Sequence, residues 1–235
     1  MKDKVAYITG GSKGIGFGVA KALMDQGMRV AITSRSREGA EAAAKALSPD
    51  PSRVLGIAST VGSMATEQAS VKATLDHFGS LDVVVANAGV GHFASIDELS
   101  EADWHDTINT NLTGVFNTVK ACLPALKDSK GYIITMASLA GANFFEGASA
   151  YNASKFGLVG FTQAVMLDLR KYGIKVTTIM PGSVATNFNN HEPSEADSWK
   201  IQPEDIGQLV VDLLRMHPRT LPSKIEVRPS KPAKG

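Results

Sequence analysis

Only one cysteine, Cys122, occurs among the 235 residues. Without a partner in the same chain it excludes an intramolecular disulfide framework and a cysteine-based metal site. Its apolar helical surroundings mark it as a small buried hydrophobe. An excess of charge of one sign is also missing. The 24 Lys and Arg are matched by 23 Asp and Glu, a formal net charge of +1, and their scatter leaves no basic stripe suited to nucleic acid. Long apolar runs are absent too: 83–86 and 174–180 are too short or interrupted to span a bilayer. Met1-Lys2-Asp3-Lys4 passes directly into a strand-like run without an apolar leader, so a cytoplasmic protein is expected.

What the chain does have is alternation. Short β-branched runs at 5–9, 29–33, 53–57, 81–86, 131–136, 174–180 and 224–227 predict seven strands. Most are nearly continuous apolar runs, as required when helices cover both faces of a sheet. Helical patterns fill 14–26, 37–47, 63–78, 100–127 with a break, 150–172 and 203–215. This βαβ series predicts one α/β domain over 1–235: a doubly wound, mostly parallel seven-stranded sheet in a Rossmann-like three-layer sandwich. Ser63, Gly79, Gly173 and Pro203 stand at expected helix ends. The stretch 187–202, rich in Asn, Glu, Ser and Pro, interrupts the alternation and reads as a mobile substrate flap. The tail 229–235 reads as frayed.

Between the first strand and first helix lies Thr9-Gly10-Gly11-Ser12-Lys13-Gly14-Ile15-Gly16. Glycines at this place let the backbone turn tightly and face a helix amino terminus toward a pyrophosphate. It is not a nucleoside-triphosphate loop, because Lys13 is not followed by Ser or Thr. The second strand ends near Ser34-Arg35, without the carboxylate that would accept from ribose hydroxyls in an NAD site. Arg35 and Lys13 instead match a 2′-phosphate, predicting NADP(H). Asn87, Ala88 and Gly89 bring small residues to the carboxyl edge of the fourth strand, where a ribose can lie close to the backbone.

Tyr151 and Lys155 are four residues apart, hence on one helix face. A nearby ammonium favours the phenolate, fitting Tyr151 to exchange a proton with an alcohol or carbonyl oxygen. Ser138, following the fifth strand, can donate to that same oxygen. His92, Phe93, Leu139, Asn143, Phe144, Phe145 and Phe188 are placed to line the substrate side, together with Ser138 and Tyr151. This mainly apolar set suits an aldehyde or ketone with an apolar or modestly polar body. Near a self-sufficient Tyr-Lys pair, His92 reads as shaping the pocket more readily than as shuttling protons. Asn111 reads from sequence as a residue that caps or bends a helix.

Taken together, Thr9-Gly10-x-x-x-Gly14-x-Gly16, Asn87-Ala88-Gly89, Asn111, Ser138, Tyr151-x-x-x-Lys155 and Pro181-Gly182 resemble the short-chain dehydrogenase/reductase family over about residues 4–227. The resemblance implies a catalytic group of Asn111, Ser138, Tyr151 and Lys155, with Asn111 in a proton relay to Lys155. It implies that Lys155 also holds the nicotinamide ribose. It further implies cofactor contacts from Gly10, Ser12, Lys13, Gly14, Ile15, Gly16, Ser34, Arg35, Thr60, Val61, Asn87, Ala88 and Gly89, and from Pro181, Gly182, Val184 and Thr186 at the nicotinamide end. No metal is implied. Two departures stand out: relatives often place an aspartate where this chain has Thr60, and the carboxyl terminus reads Ile225-Glu226-Val227-Arg228-Pro229 in place of a Gly-Gly ending. The expectation is an NADPH-dependent carbonyl reductase, as a homodimer or homotetramer. A 3-oxoacyl thioester reductase and a non-catalytic NADPH sensor are the alternatives.

Overall fold

A computed structural model describes residues 1–231, and the end of the tail expected to fray, 232–235, lies outside the described residues. The strands are β1 (Val5–Ile8), β2 (Arg29–Ser34), β3 (Val54–Ala58), β4 (Val83–Ala86), β5 (Tyr132–Met136), β6 (Lys175–Pro181) and β7 (Lys224–Val227). They form one sheet in the order β3-β2-β1-β4-β5-β6-β7. Every pairing among them is parallel, as the expected doubly wound sheet requires. Strand order reverses between β1 and β4, and such a switch point is where ligands bind in the crevice at the carboxyl ends of the strands of open α/β sheets.

Among the described residues seven α-helices flank the sheet: α1 (Gly14–Asp25), α2 (Arg37–Leu47), α3 (Met64–Phe78), α4 (Glu101–Ile108), α5 (Gly114–Ser129), α6 (Ser149–Leu169) and α7 (Pro203–Arg215). Alternate strand residues enter opposite cores. Ala6, Ile8, Val30, Ile32, Val83 and Val85 join Leu23 of α1 and Val210 of α7. Val5, Tyr7, Ala31, Val84 and Ile133 join Val71 of α3, Leu126 of α5 and Leu158 of α6. Burial on both faces explains the continuous apolar runs of the central strands. At the edge, β7 alternates between exposed and half-buried residues.

The expected break in the long helical pattern is a π turn over Asn109–Thr113, which joins α4 to α5. Gly79 at φ 80° and Gly173 at φ 75° stop helical segments in the left-handed region. Ser63 Oγ accepts from Thr66 N at the start of α3, and Asp205 accepts from Gln202 N at the start of α7. Among the described residues no helix is long and apolar enough to cross a membrane.

α1 and α7 meet backbone to backbone. A Cβ on Gly18 would stand 2.6 Å from the Pro203 carbonyl oxygen, and one on Gly207 would stand 2.8 Å from the Gly18 carbonyl oxygen. Side chains here would push the two helices apart. We therefore expect Gly18→Ala to destabilise the protein by about 1–3 kcal/mol, the usual cost of overpacking. A thermal melt that matches the parent would refute this close fit.

Candidate active site

The turn between β1 and α1 is closed by backbone geometry that favours glycine. Gly10 has φ 63° and Gly14 has φ 55°, a region L-residues rarely enter. A Cβ on Gly16 would lie 2.5 Å from the Gly10 carbonyl oxygen. Thr9 Oγ1 accepts from the backbone N–H groups of Asn87 (3.0 Å) and Ala88 (3.1 Å), and Asn87 Nδ2 donates to the carbonyls of Thr9 (3.0 Å) and Gly10 (3.1 Å). Asn87 thus shapes the cradle by holding its backbone. The result is a shallow seat at the amino terminus of α1, whose first turn carries no acid, and which fits a phosphate-bearing dinucleotide.

One rim of the seat is basic. Ser12 Oγ donates to Ser34 Oγ across 3.3 Å, which brings the end of β2 to the glycine turn. The neighbours of these two serines, Lys13 and Arg35, are both exposed, and among the described residues neither forms an ion pair. Beyond them, Ser59 N donates to Ser34 O (2.8 Å), while the Thr60 and Val61 carbonyls accept from Thr66 Oγ1 (2.6 Å) and Asn117 Nδ2 (2.9 Å). Across the seat, a Cβ on Gly14 would touch Thr186 Cγ2 at 3.2 Å, so the loop after β6 reaches the turn. Pro181 ends β6, Gly182 N donates to Val227 O (2.8 Å), and Val184 pairs with Ile201. Ile15 packs its half-buried side chain against the core beneath.

Ser138, Tyr151 and Lys155 lie together at the end of β5 and the start of α6. Lys155 is 5 % exposed, and its Nζ donates to the Met136 carbonyl at 3.1 Å and lies 5.6 Å from the centre of the Tyr151 ring. Burial draws its pKa down to about 8. For Tyr151 burial raises the phenol above its ordinary value, while the neighbouring Ser138 hydroxyl acts in the opposite direction. Ser138 Oγ also accepts from Ala140 N at 3.1 Å, which orients it at the end of β5.

Asn111 is fully buried on the π turn, a local distortion often found at functional sites. Its Oδ1 accepts from Val90 N (2.8 Å), and its Nδ2 donates to Val90 O (2.8 Å) and Ser154 Oγ (3.0 Å). A Cβ on Gly89 would sit 3.3 Å from Asn111 Oδ1 and 3.8 Å from Lys155 Nζ. The absent side chain therefore keeps open the space between those two polar groups.

Aromatic rings enclose the outer side of Tyr151. Its ring centre lies 5.3 Å from Phe93 and 5.8 Å from Phe188, while Phe93 lies 6.0 Å from Phe145. Phe93 and Phe188 crowd Gly91, where a Cβ would fall within 2.6 Å of Phe188 Cζ. His92 is turned differently. Its Nε2 meets Asp106 at 2.8 Å and its Nδ1 meets Asp103 at 3.2 Å, so the imidazole fastens its loop to α4 while the adjacent Phe93 reaches Tyr151. Leu139 lies against Gly182, and Asn143 donates to the Leu139 carbonyl at 3.3 Å. Phe144 is 86 % exposed; with Phe145, Ala94 and Ile96 it lines a cavity of about 410 Å³ beside the ring cluster.

Sequence reasoning missed two anchors. Asn152 donates to the carbonyls of Ala140 (2.7 Å) and Asn143 (2.9 Å) and accepts from Phe145 N (3.3 Å), fastening the loop after β5 to the helix turn that bears Tyr151. Asp197 accepts from His191 Nε2 and Lys200 Nζ, each at 2.6 Å, inside the segment expected to act as a flap. These bonds hold its carboxyl far below the ordinary carboxylate range. A lysine three residues after the acid gave a local sign for the second anchor. The partners of Asn152 lie seven to twelve residues earlier, and no local pattern announces them.

The short chain dehydrogenase family model matches residues 4–197. An uncharacterized oxidoreductase of Staphylococcus aureus is 32% identical over 231 residues, covering 97% of this chain and 98% of that one. The alcohol dehydrogenase of the archaeon Thermococcus sibiricus, solved with 5-hydroxy-NADP, superposes with a TM-score of 0.91 at 30% identity, covering 97% of each chain. The 3-ketoacyl-(acyl-carrier-protein) reductase of Brucella melitensis, solved with NADH, gives a TM-score of 0.89 at 25% identity over 97% of this chain and 98% of that one. With its matched span, parallel sheet and converging Ser138, Tyr151 and Lys155, this chain belongs to the short-chain dehydrogenase family of oxidoreductases.

Proposed function

We propose that the protein is an NADPH-dependent reductase of aldehydes or ketones, working reversibly. The observation that carries this reading is the Lys155 ammonium, buried beside the Tyr151 ring. The glycine turn and the amino terminus of α1 would hold the pyrophosphate, and Lys13, Ser34 and Arg35 the 2′-phosphate. Thr60 and Val61 would border the adenine, Asn87 to Gly89 and Lys155 the nicotinamide ribose, and Pro181, Gly182, Val184 and Thr186 the ring. When bound, the nicotinamide supplies the hydride for the carbonyl carbon.

The chain's own residues manage the proton. Ser138 donates a hydrogen bond to the substrate oxygen, which strengthens as negative charge develops there. Tyr151 transfers its phenolic proton to that oxygen, completing the alcohol, and the Lys155 ammonium steadies the phenolate left behind. Asn111 keeps the 90–93 loop and the polar space beside Lys155 in place. In oxidation the same groups act in reverse. The Phe93, Phe145 and Phe188 rings would exclude water from the exchange and receive an apolar substrate body. The neighbouring cavity is edged by Asp97 and Glu146 and by no lysine or arginine, favouring neutral carbonyl compounds over anionic thioesters. Similarity to a ketoacyl reductase keeps the thioester reading as the second choice. Comparing turnover of acetoacetyl thioesters with simple aldehydes and diketones separates the two.

Exposed Phe116 forms an edge-on pair with Phe161 at 6.4 Å, and exposed Phe156 and Leu167 lie on the same helix as Phe161. We assign this outer face of α5 and α6 to a homo-oligomer contact, and place the protein in the cytoplasm. Equilibrium sedimentation is expected to give a dimer or tetramer, and a persistent monomer would reject the contact.

Tyr151→Phe is expected to retain NADPH binding while carbonyl reduction falls by about 10²–10⁴-fold, the usual contribution of a positioned acid. Turnover equal to the parent's would overturn the role of Tyr151. In the free enzyme, Lys155 loses its charge at about 8 and Tyr151 keeps its proton to higher pH. Accordingly kcat/KM for reduction should be level below about pH 8 and decline above it, and a steady climb from pH 8 to 10 contradicts the assignment. NADPH should be used with higher kcat/KM than NADH. Replacing Arg35 by Ala should narrow that preference by about 10–100-fold, as expected for losing a charge-assisted hydrogen bond; an NADH preference in the parent defeats the cofactor assignment.

A further inference from the structure

Glu67 of α3 is completely buried, and among the described residues it forms no ion pair. Three hydroxyls converge on its carboxyl group. Oε1 accepts from Tyr7 Oη of β1 at 3.2 Å and from Ser59 Oγ at 2.7 Å, and Oε2 from Thr118 Oγ1 of α5 at 2.7 Å. The core that holds Tyr7 also contains Val71, Val115, Val119 and Cys122. Apolar side chains could fill such a place at less cost than a carboxyl group, whose burial is unfavourable unless fully bonded. Packing alone does not account for it.

The knot grips one functional segment. Ser59 is the first residue beyond β3, and its backbone N–H is bonded to Ser34 O, next to Arg35. Thr60 and Val61 follow, their carbonyls held by Thr66 and Asn117. The Ser59 hydroxyl is the point at which Glu67 takes hold of this loop from within, beside the Asn117 bond to Val61. Burial and the neighbouring Glu67 raise the Tyr7 phenol well above its ordinary pKa, so Tyr7 remains a donor throughout the working range.

We propose that Glu67 is a positioning residue for the adenosine half of the cofactor: through Ser59 it fixes the 59–61 loop beside the phosphate-binding rim at Ser34 and Arg35. The proposal rests on the dinucleotide-binding reading above. It touches no reacting atom. A glutamine can replace this acid, because Thr118 Oγ1 also lies 2.9 Å from the Gly114 carbonyl. The carboxamide oxygen would accept from Tyr7 and Ser59, while its NH₂ donates to Thr118, whose own proton turns to Gly114. Tyr7→Phe with Glu67→Leu would instead make the knot apolar and release Ser59 without leaving a buried phenol unbonded.

The test is calorimetric titration of the purified full chain with 2′,5′-ADP, which carries only the adenosine half, and with reduced nicotinamide mononucleotide, which carries only the other half. Glu67→Gln should bind 2′,5′-ADP within about twofold of the parent, whereas the double variant should bind it about tenfold more weakly, the equivalent of one good hydrogen bond. Mononucleotide binding should be unchanged in both. Ser59→Ala, which cuts only the link to the loop, should reproduce the selective loss and serves if the double variant does not fold. Equal weakening of both probes, or none, overturns the proposal, because a merely structural knot would not distinguish the halves. A parent protein that binds neither probe overturns the dinucleotide reading itself, and this inference with it.

Discussion

The site is built on one short polar knot at the crevice: Thr9 at the end of β1 bonded to Asn87 and Ala88 at the end of β4. Parallel strands cannot be joined by a tight turn, so their carboxyl ends are aligned only by the sheet and by contacts such as these. At the point where strand order reverses, neighbouring chain segments leave in opposite directions. Four hydrogen bonds close that gap, and each leaves a backbone or carboxamide group satisfied where an unpaired one would cost about 1–3 kcal/mol. The glycine turn, the 87–89 segment and, through Gly89, the space beside Asn111 and Lys155 inherit their positions from it.

Around Lys155 the energetics pull the other way. An amine enclosed by β5 and α6 loses solvation, and its single described hydrogen bond, to the Met136 carbonyl, does not restore what water provided. The fold tolerates this expense within a sheet whose central strands bury mainly aliphatic side chains. A lysine whose charge is held weakly, next to a phenol whose proton is held strongly, makes a responsive pair. Such a pair is less stable than leucines would be and more useful in the chemistry proposed for it.

Much of this was legible in the sequence because its signals are local. Continuous apolar runs announced buried parallel strands, Gly79 and Gly173 marked helix ends through their positive φ, and the four-residue spacing of Tyr151 and Lys155 placed them on one face. The break near residue 110 was visible, but its π geometry was not, since the distortion is fixed by the bonds of Asn111 to Val90 and Ser154. Long-range polar contacts escaped for the same reason. His92 could be placed near the substrate side, yet nothing nearby in sequence declared that Asp103 and Asp106 would claim both ring nitrogens. Glu67 lies in the first turn of α3, and only tertiary structure brings Tyr7, Ser59 and Thr118 to it.

The segment between Ala185 and Ile201 leaves and rejoins the body at almost one point, because Ala185 N donates to Ile201 O and Ile201 N to Ser183 O. Its two ends are pinned independently of what lies between them, so lengthening or rewriting the interior carries only a small, logarithmic entropy penalty. Under the proposed function, architecture and selectivity are thereby uncoupled in inheritance: mutations can explore new contours above Tyr151 while the strands and the glycine turn stay under separate constraint. The same frame can acquire a different diet without having to refold.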